Sequence, residues 1–275
     1  MTNESPYSIL PKEGPYETAI GSALITMVEP HPGHEHAYNR WYEDDHFYSG
    51  AMAMPWMFAG RRWVAPRDLQ LMRYPEDSAI AQPVTAGCYI STYWITEGRY
   101  EDHLRWTVAT NQRLGPDARV YMDRTHIYTA FQEFVGSVAR DAEGPRDYQA
   151  LDYPYGGLVV EVVDALADDG SEALWAWLRD EHIPALLAGS GVAMCVVFRP
   201  MPLPDDKQSF VEDLPGLDRR LTLLWLTDGD PRDVWDASFA KEGDAIAASG
   251  LAKVELVAPF LPTVPGTDKY VDELR

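Results

Sequence analysis

The sequence predicts an α+β fold: two β-α-β-β-α-β halves whose antiparallel sheets pack into one barrel. Three observations predict it. Trp41-Tyr42-Glu43-Asp44-Asp45-His46 returns as Trp177-Leu178-Arg179-Asp180-Glu181-His182, 136 positions later in a chain of 275. In each half a small-residue stretch then leads to a strand-like run ending in Arg and Pro, Met57 to Pro66 and Val192 to Pro200. Pro- and acid-rich insertions, at 66–85 and 200–217, follow that run in both halves.

Each element has a local reason. Residues 19–29 (AIGSALITMVE) alternate and are rich in β-branched side chains, which predicts a strand. Over 34–49, Tyr38, Trp41, Tyr42 and Asp45/His46 recur at i, i+3, i+4, the stripe of an amphipathic helix. Strands are expected at 57–65 and 86–96, a helix at 98–113 and a fourth strand at 118–134. A polar stretch with Gly and Pro, 138–155, reads as a linker. The order then restarts with strand 157–163, helix 171–188, strands 192–199 and 219–227, helix 231–248 and strand 252–261. The predicted organisation is a first unit at 1–137, the linker, and a second unit at 156–275. Such units are ferredoxin-like, with both helices on one face of the sheet and the other face apolar. Two naked faces on one chain bury each other as a tandem α+β barrel.

Composition excludes several functions. Lys and Arg number 23 against 43 Asp and Glu, a net charge of −20 that repels nucleic-acid phosphates and anionic lipid. A hydrophobic share of 46% is too high for a disordered chain, and no apolar run approaches the roughly 20 residues of a membrane span. Residues Met1 to Pro6 have neither the basic start nor the apolar stretch of a secretory signal, so a cytoplasmic location is expected. Cys88 and Cys195 lie in apolar runs and read as small buried hydrophobes. No G-x-G-x-x-G, P-loop or G-x-S-x-G element is present, which disfavours nucleotide cofactors and serine hydrolysis.

The run Asn39-x-Trp41-Tyr42-x-x-x-His46, followed by Pro55 and a strand closing on Arg61-Arg62, resembles the EthD-like branch of the dimeric α/β-barrel superfamily. Trp177-x-x-x-x-His182, followed by a strand ending at Arg199, resembles a diverged copy. The resemblance implies a pocket between the sheet and its helices and aromatic or polyketide-like substrates. The superfamily includes cofactor-independent monooxygenases, polyketide cyclases, muconolactone-type isomerases, aldoxime dehydratases and heme peroxidases, and fold alone does not choose among them.

Residues must make that choice. His46 is the first candidate base, because an imidazole takes and returns a proton near neutral pH. Tyr42, one turn earlier, is a candidate acid, and Asp45 or Glu43 could orient the ring. Arg124, His126 and Tyr128 alternate, so strand geometry puts all three on one face, which lines either the pocket or the barrel interior; there Arg124 could bind a carboxylate or enolate oxygen and His126 with Tyr128 could act as acid and base. Arg62, Trp41 and Asp45 complete the expected substrate contacts. His182 reads as structural, since Leu178 replaces Tyr42 beside it. His34, His36 and His46 offer three nitrogens, but the helix rise separates them by about 15 Å, so no metal is expected. The leading expectation is a cofactor-independent isomerase, lyase, dehydratase or cyclase acting on a small hydrophobic or aromatic carbonyl compound. The alternatives are an oxygenase or heme enzyme on the same scaffold, with His126 or His103 as iron ligand, and a non-catalytic binding protein. The first half would carry the site, and a homo-oligomer could form on top of the barrel.

Overall fold

The computed structural model describes residues 17–167, 171–202 and 217–275. The expected insertion at 200–217 falls almost entirely outside them. In the first half the strands are β1 (Ile20–Pro30), β2 (Met57–Val64), β3 (Tyr89–Thr96) and β4 (Arg124–Ala139). Helix α1 (Glu35–Trp41) follows β1 and continues as a π-helical segment, Tyr42–Met52. Helix α2 (Arg67–Leu71) follows β2, and α3 (Tyr100–Leu114) connects β3 to β4. In the second half β5 (Gly157–Ala165) is followed by α4 (Ser171–Trp177), a π turn (Leu178–His182) and α5 (Ile183–Leu187). Strands β6 (Val192–Pro200) and β7 (Arg220–Thr227) come next. Helix α6 (Pro231–Val234), a π turn (Trp235–Phe239), α7 (Glu242–Ala248) and strand β8 (Ala252–Pro262) complete the order.

All eight strands form one closed antiparallel barrel in the order β1-β3-β2-β8-β5-β7-β6-β4. Within the first half the order is β4-β1-β3-β2, and within the second β8-β5-β7-β6. The halves meet unequally. Strands β4 and β6 pair from Gln132↔Pro200 to Ala139↔Met194, whereas β2 and β8 share only Trp63↔Pro262 and Val64↔Leu261.

Period-two alternation divides each strand between two layers. One face fills the barrel with Ile25, Trp63, Trp94, Phe198 and Phe260, all buried. Each of these large side chains contributes on the order of 2–3 kcal/mol of burial. The other face of the second half packs under α4–α7 through Val159, Cys195, Val197, Leu223, Trp225 and Phe239. Cys88 and Cys195 are free and buried.

Several element boundaries differ from expectation. The helix expected at 34–49 turns π-helical at Tyr42, as the bond from the Ala53 N–H to the Tyr48 carbonyl shows (2.8 Å). The fourth strand begins at Arg124 rather than 118 and runs to Ala139, because β6 supplies a partner as far as Met194. Residues 138 and 139 therefore belong to the barrel, and Ala150, Leu151 and Tyr155 of the expected linker are buried against it. Among the described residues no helix is long and apolar enough to cross a membrane.

Candidate active site

A cavity of about 160 Å³ lies between the first-half sheet and its helices. Leu24 and Thr26 of β1, Tyr93 of β3, and Arg124, His126, Thr129 and Phe131 of β4 line its floor. Tyr42, His46, Gly50 and Ala51 of the π segment form one wall, and His103, Leu104, Thr107, Val108, Asn111 and Gln112 of α3 the roof. Met54 and Met57 also line the cavity. Leu104, Thr107, Val108 and Asn111 share one face of α3, as i, i+3, i+4 spacing requires. Only His103 and Leu114 of that helix are buried, so α3 bridges the hollow instead of filling it. The π segment is the local device behind the wall. Its i→i+5 bonds insert an extra residue per turn, a distortion frequent at functional sites.

A single bulge arranges the floor. Met27 pairs with Tyr128 and Val28 with His126, so Ile127 is an extra residue in β4. A bulge turns the side chains beyond it to the opposite faces. His126 and Thr129 consequently face the cavity together, while Tyr128 points into the barrel. There its hydroxyl meets Thr222 Oγ1 at 2.8 Å and accepts from Gln132 Nε2 at 3.2 Å. The expectation that Arg124, His126 and Tyr128 share one face is corrected: strict alternation does not survive the extra residue.

His126 is held from both sides. Its Nδ1 lies 2.7 Å from Thr129 Oγ1, which in turn lies 2.8 Å from Thr26 Oγ1. Its Nε2 accepts from Arg124 Nε at 3.3 Å, so Nδ1 carries the proton of the neutral ring. Burial, and then the Arg124 charge, lower its pKa to about 3. Arg124 itself lies over the Trp41 ring at 4.6 Å. Trp41 donates from Nε1 to the Arg119 carbonyl at 2.9 Å.

His46 stacks on the other side of the site. Its ring is 4.4 Å from that of Trp41 with planes 18° apart, and meets Tyr42 edge-on at 5.0 Å. Burial first, then Arg124, lower its pKa to about 3, against a raising influence of Asp45. No hydrogen bond to either ring nitrogen is seen among the described residues, so His46 is the wall imidazole left to accept a proton. The Tyr42 hydroxyl meets that of Tyr93 at 2.6 Å. Burial raises the Tyr93 pKa, so its phenol stays protonated. Gly60 makes room for this pair, because a Cβ there would stand 2.6 Å from Tyr93 Cδ1.

The cavity thus gathers four of the expected residues, His46, Tyr42, His126 and Arg124, and places four elsewhere. Trp41 lies behind His46 as its stacking platform. Asp45 is bound by Arg119 and Ser49, not by His46 or the hollow. Arg62 is buried behind Tyr42, its guanidinium 4.2 Å from that ring, where it bonds Asn39 Oδ1 at 3.2 Å and pairs with Glu43. Glu43 is thereby removed as an orienter of His46. Tyr128 belongs to the barrel. Thr26, Thr129, Asn111 and Gln112 were not expected, and nothing in their local sequence marks them. The roof residue His103 donates from Nδ1 to the Pro55 carbonyl at 2.7 Å, and its Nε2 accepts from Thr107 Oγ1 at 3.0 Å. Of the remaining histidines, His31, His34 and His36 meet Thr125, Tyr121 and Asp272.

A heme iron needs an imidazole nitrogen with a lone pair aimed into open space. His103 has both nitrogens engaged, and the Nε2 lone pair of His126 accepts from a guanidinium. His103 and His126, the two histidines expected as iron ligands, therefore do not fit heme.

Among the described residues, Leu174, Leu178, Trp225 and Phe239 pack the corresponding layer of the second half. His182 stacks on Trp177 at 4.6 Å and 22°, repeating the first-half pair. It pairs with buried Glu242. Tyr74, from the connection after α2, enters this layer and donates its hydroxyl to the Phe239 carbonyl.

Comparison with solved structures agrees with this architecture. An anthrone oxidase-like protein superposes with a TM-score of 0.53 at 9% identity, covering 90% of this chain and 94% of that one. A chlorite dismutase-like protein gives 0.51 at 11% identity, over 94% of this chain and all (100%) of the other. The shared fold is an α+β barrel of antiparallel strands. At these identities the likeness is one of fold alone. No family model matches the chain, and no curated protein matches it.

Proposed function

We propose that the first half of this chain is a cofactor-independent enzyme that removes a proton beside the carbonyl of a small aromatic or otherwise apolar compound. One observation carries the reading: a neutral imidazole, His46, and a fixed guanidinium, Arg124, line the same largely apolar cavity. Leu24, Met54, Met57 and Phe131 would hold the apolar body of the substrate. Arg124 would hold the developing enolate oxygen, a charge-assisted bond strengthened by exclusion of water. His46 would take the proton. An imidazole depressed by burial and by Arg124 is a weak base, but an enolate seated on Arg124 offsets that charge and raises the basicity of the ring as the proton moves. His126, tied to Thr129 and Arg124, would aim the guanidinium. The Tyr42–Tyr93 pair would return a proton.

For the second reactant we favour dioxygen over the isomerisation, elimination and cyclisation that sequence reasoning placed first. The supporting observation is the likeness in fold to the anthrone oxidase-like protein. The enolate carbon would give its electron pair to dioxygen, forming a carbon–oxygen bond. Protonation and loss of water would then leave a new carbonyl, so that a CH2 group and O2 become C=O and H2O. We further propose that the units at 1–137 and 156–275 arose by duplication within an EthD-like lineage and that the second completes the barrel. The equal strand orders, the paired Trp–His stacks and a second bulge at Glu255, equivalent to that at Ile127, support this.

The test separates the proton step from its consequence. Anthrone and simpler enolisable aryl ketones are incubated anaerobically in D2O, and loss of the carbon-bound proton signal is followed by NMR. The protein should accelerate exchange, and His46→Gln should slow it about 100-fold or more. Admission of air should then consume one O2 per substrate. Exchange without oxygen uptake would favour the isomerase or lyase reading, and exchange unaffected by His46→Gln would refute the assignment of the base.

A further inference from the structure

Gly50 lies four residues after His46, inside the π-helical segment. Glycine is costly within a helix and is usually retained for a positive φ or for space. Conformation does not require it here, because Gly50 is not among the glycines with positive φ. Space does. A Cβ at this position would collide with His46 Nδ1 and stand 2.9 Å from Cε1 and 3.2 Å from Cγ. The ring cannot retreat. Trp41 covers one face at 4.4 Å, and Tyr42 stands edge-on at 5.0 Å. Trp41 is itself fixed through the Arg119 carbonyl, and the Arg119 guanidinium grips Asp45 and Ser49, the residue before Gly50. The ring is therefore confined by the platform, by its neighbour and by the missing side chain.

The second half supplies an internal comparison. At the same offset His46 corresponds to His182 and Gly50 to Leu186. There the π turn ends at His182, Leu186 packs into the layer under the helices, and the imidazole is paired with Glu242. The stacking platform is kept in both halves. The glycine accompanies the histidine that lines a hollow.

We propose that Gly50 is the positioning residue of the site, the vacancy that lets His46 lie flat on Trp41 with its Nε2 edge turned to the cavity. This rests on His46 being the base, but its test uses no substrate and so stands or falls separately from that role. In Gly50→Ala the imidazole should leave the indole. Its carbon-bound protons, shifted upfield by the Trp41 ring current in the parent protein, should move downfield by several tenths of a ppm, with His46→Gln providing the assignment. The ring should also titrate at higher pH as it reaches solvent. Unchanged shifts and an unchanged titration would overturn the proposal. Should Gly50→Ala unfold, thermal melting of a second pair decides. Because the collision is with the imidazole, His46→Ala/Gly50→Ala should melt at or above His46→Ala alone. A double variant as unstable as Gly50→Ala would show that the glycine serves the backbone, and the proposal would fail.

Discussion

Replacing Arg124 by methionine should raise the pH at which His126 protonates, by an amount the site geometry bounds. The two groups touch through a 3.3 Å bond from Arg124 Nε to His126 Nε2. In the folded protein the ring titrates at about 3, and burial is a larger cause than the Arg124 charge. Less than half of the fall from the ordinary 6.5 therefore belongs to Arg124, and in Arg124→Met the ring should titrate no higher than about 5. The sign of the stability effect follows. Between about 3 and 6.5 the unfolded chain binds a proton that the folded ring refuses, so stability declines as pH falls through that window. In the variant this decline should start near the same pH but end above 3 and no higher than about 5. At about 1.4 kcal/mol per pH unit, the variant should escape at most roughly 2.5 kcal/mol of acid destabilisation from this ring by about pH 3, and under about 1 kcal/mol at about pH 4.5. Loss of the cation over Trp41 costs about 1 kcal/mol at every pH. The assay is imidazole nitrogen NMR from pH 3.5 to 7.5, with urea unfolding at pH 4.5 and 7. A parent His126 that titrates near 6.5, or a variant ring that titrates where the parent ring does, would refute the placement of this pair in a dry wall.

Two further outcomes follow from the polar groups the cavity does not use. Tyr128→Phe should cost about 1–2 kcal/mol in urea unfolding, because Thr222 and Gln132 lose a shared partner; a change in anthrone-exchange rate beyond twofold would contradict its place inside the barrel. Glu161 is fully buried, with Oε2 accepting from Trp225 Nε1 at 2.9 Å and, among the described residues, no hydrogen-bond partner for Oε1. Burial, then Glu242, hold its carboxyl pKa well above 4.5, so the folded state keeps a proton that the unfolded chain releases, and stability falls as pH rises from 4.5. Glu161→Gln should flatten that fall and raise the urea midpoint at pH 8 more than at pH 5, and equal changes at both would count against it.

Much of this protein is written along the chain. The order of strands and helices, the α+β class and the Trp–His motif follow from periodicities of two and 3.6, which record only whether a side chain faces water or neighbours. His46, Tyr42, His126 and Arg124 could be singled out because imidazole, phenol and guanidinium are conspicuous on otherwise apolar elements. Tertiary structure decided the rest. The bulge at Ile127 depends on the register between β4 and β1, so only pairing across about a hundred residues reveals that Tyr128 leaves the site. The fates of Arg62, Asp45 and Glu43 depend on Asn39, Arg119 and a buried ion pair. Tyr74, a first-half residue, packs into the layer of the second half, a contact no local pattern announces. Local sequence determines which groups a chain can offer. Contacts between distant segments determine which of them meet, because burial and charge are properties of the folded neighbourhood.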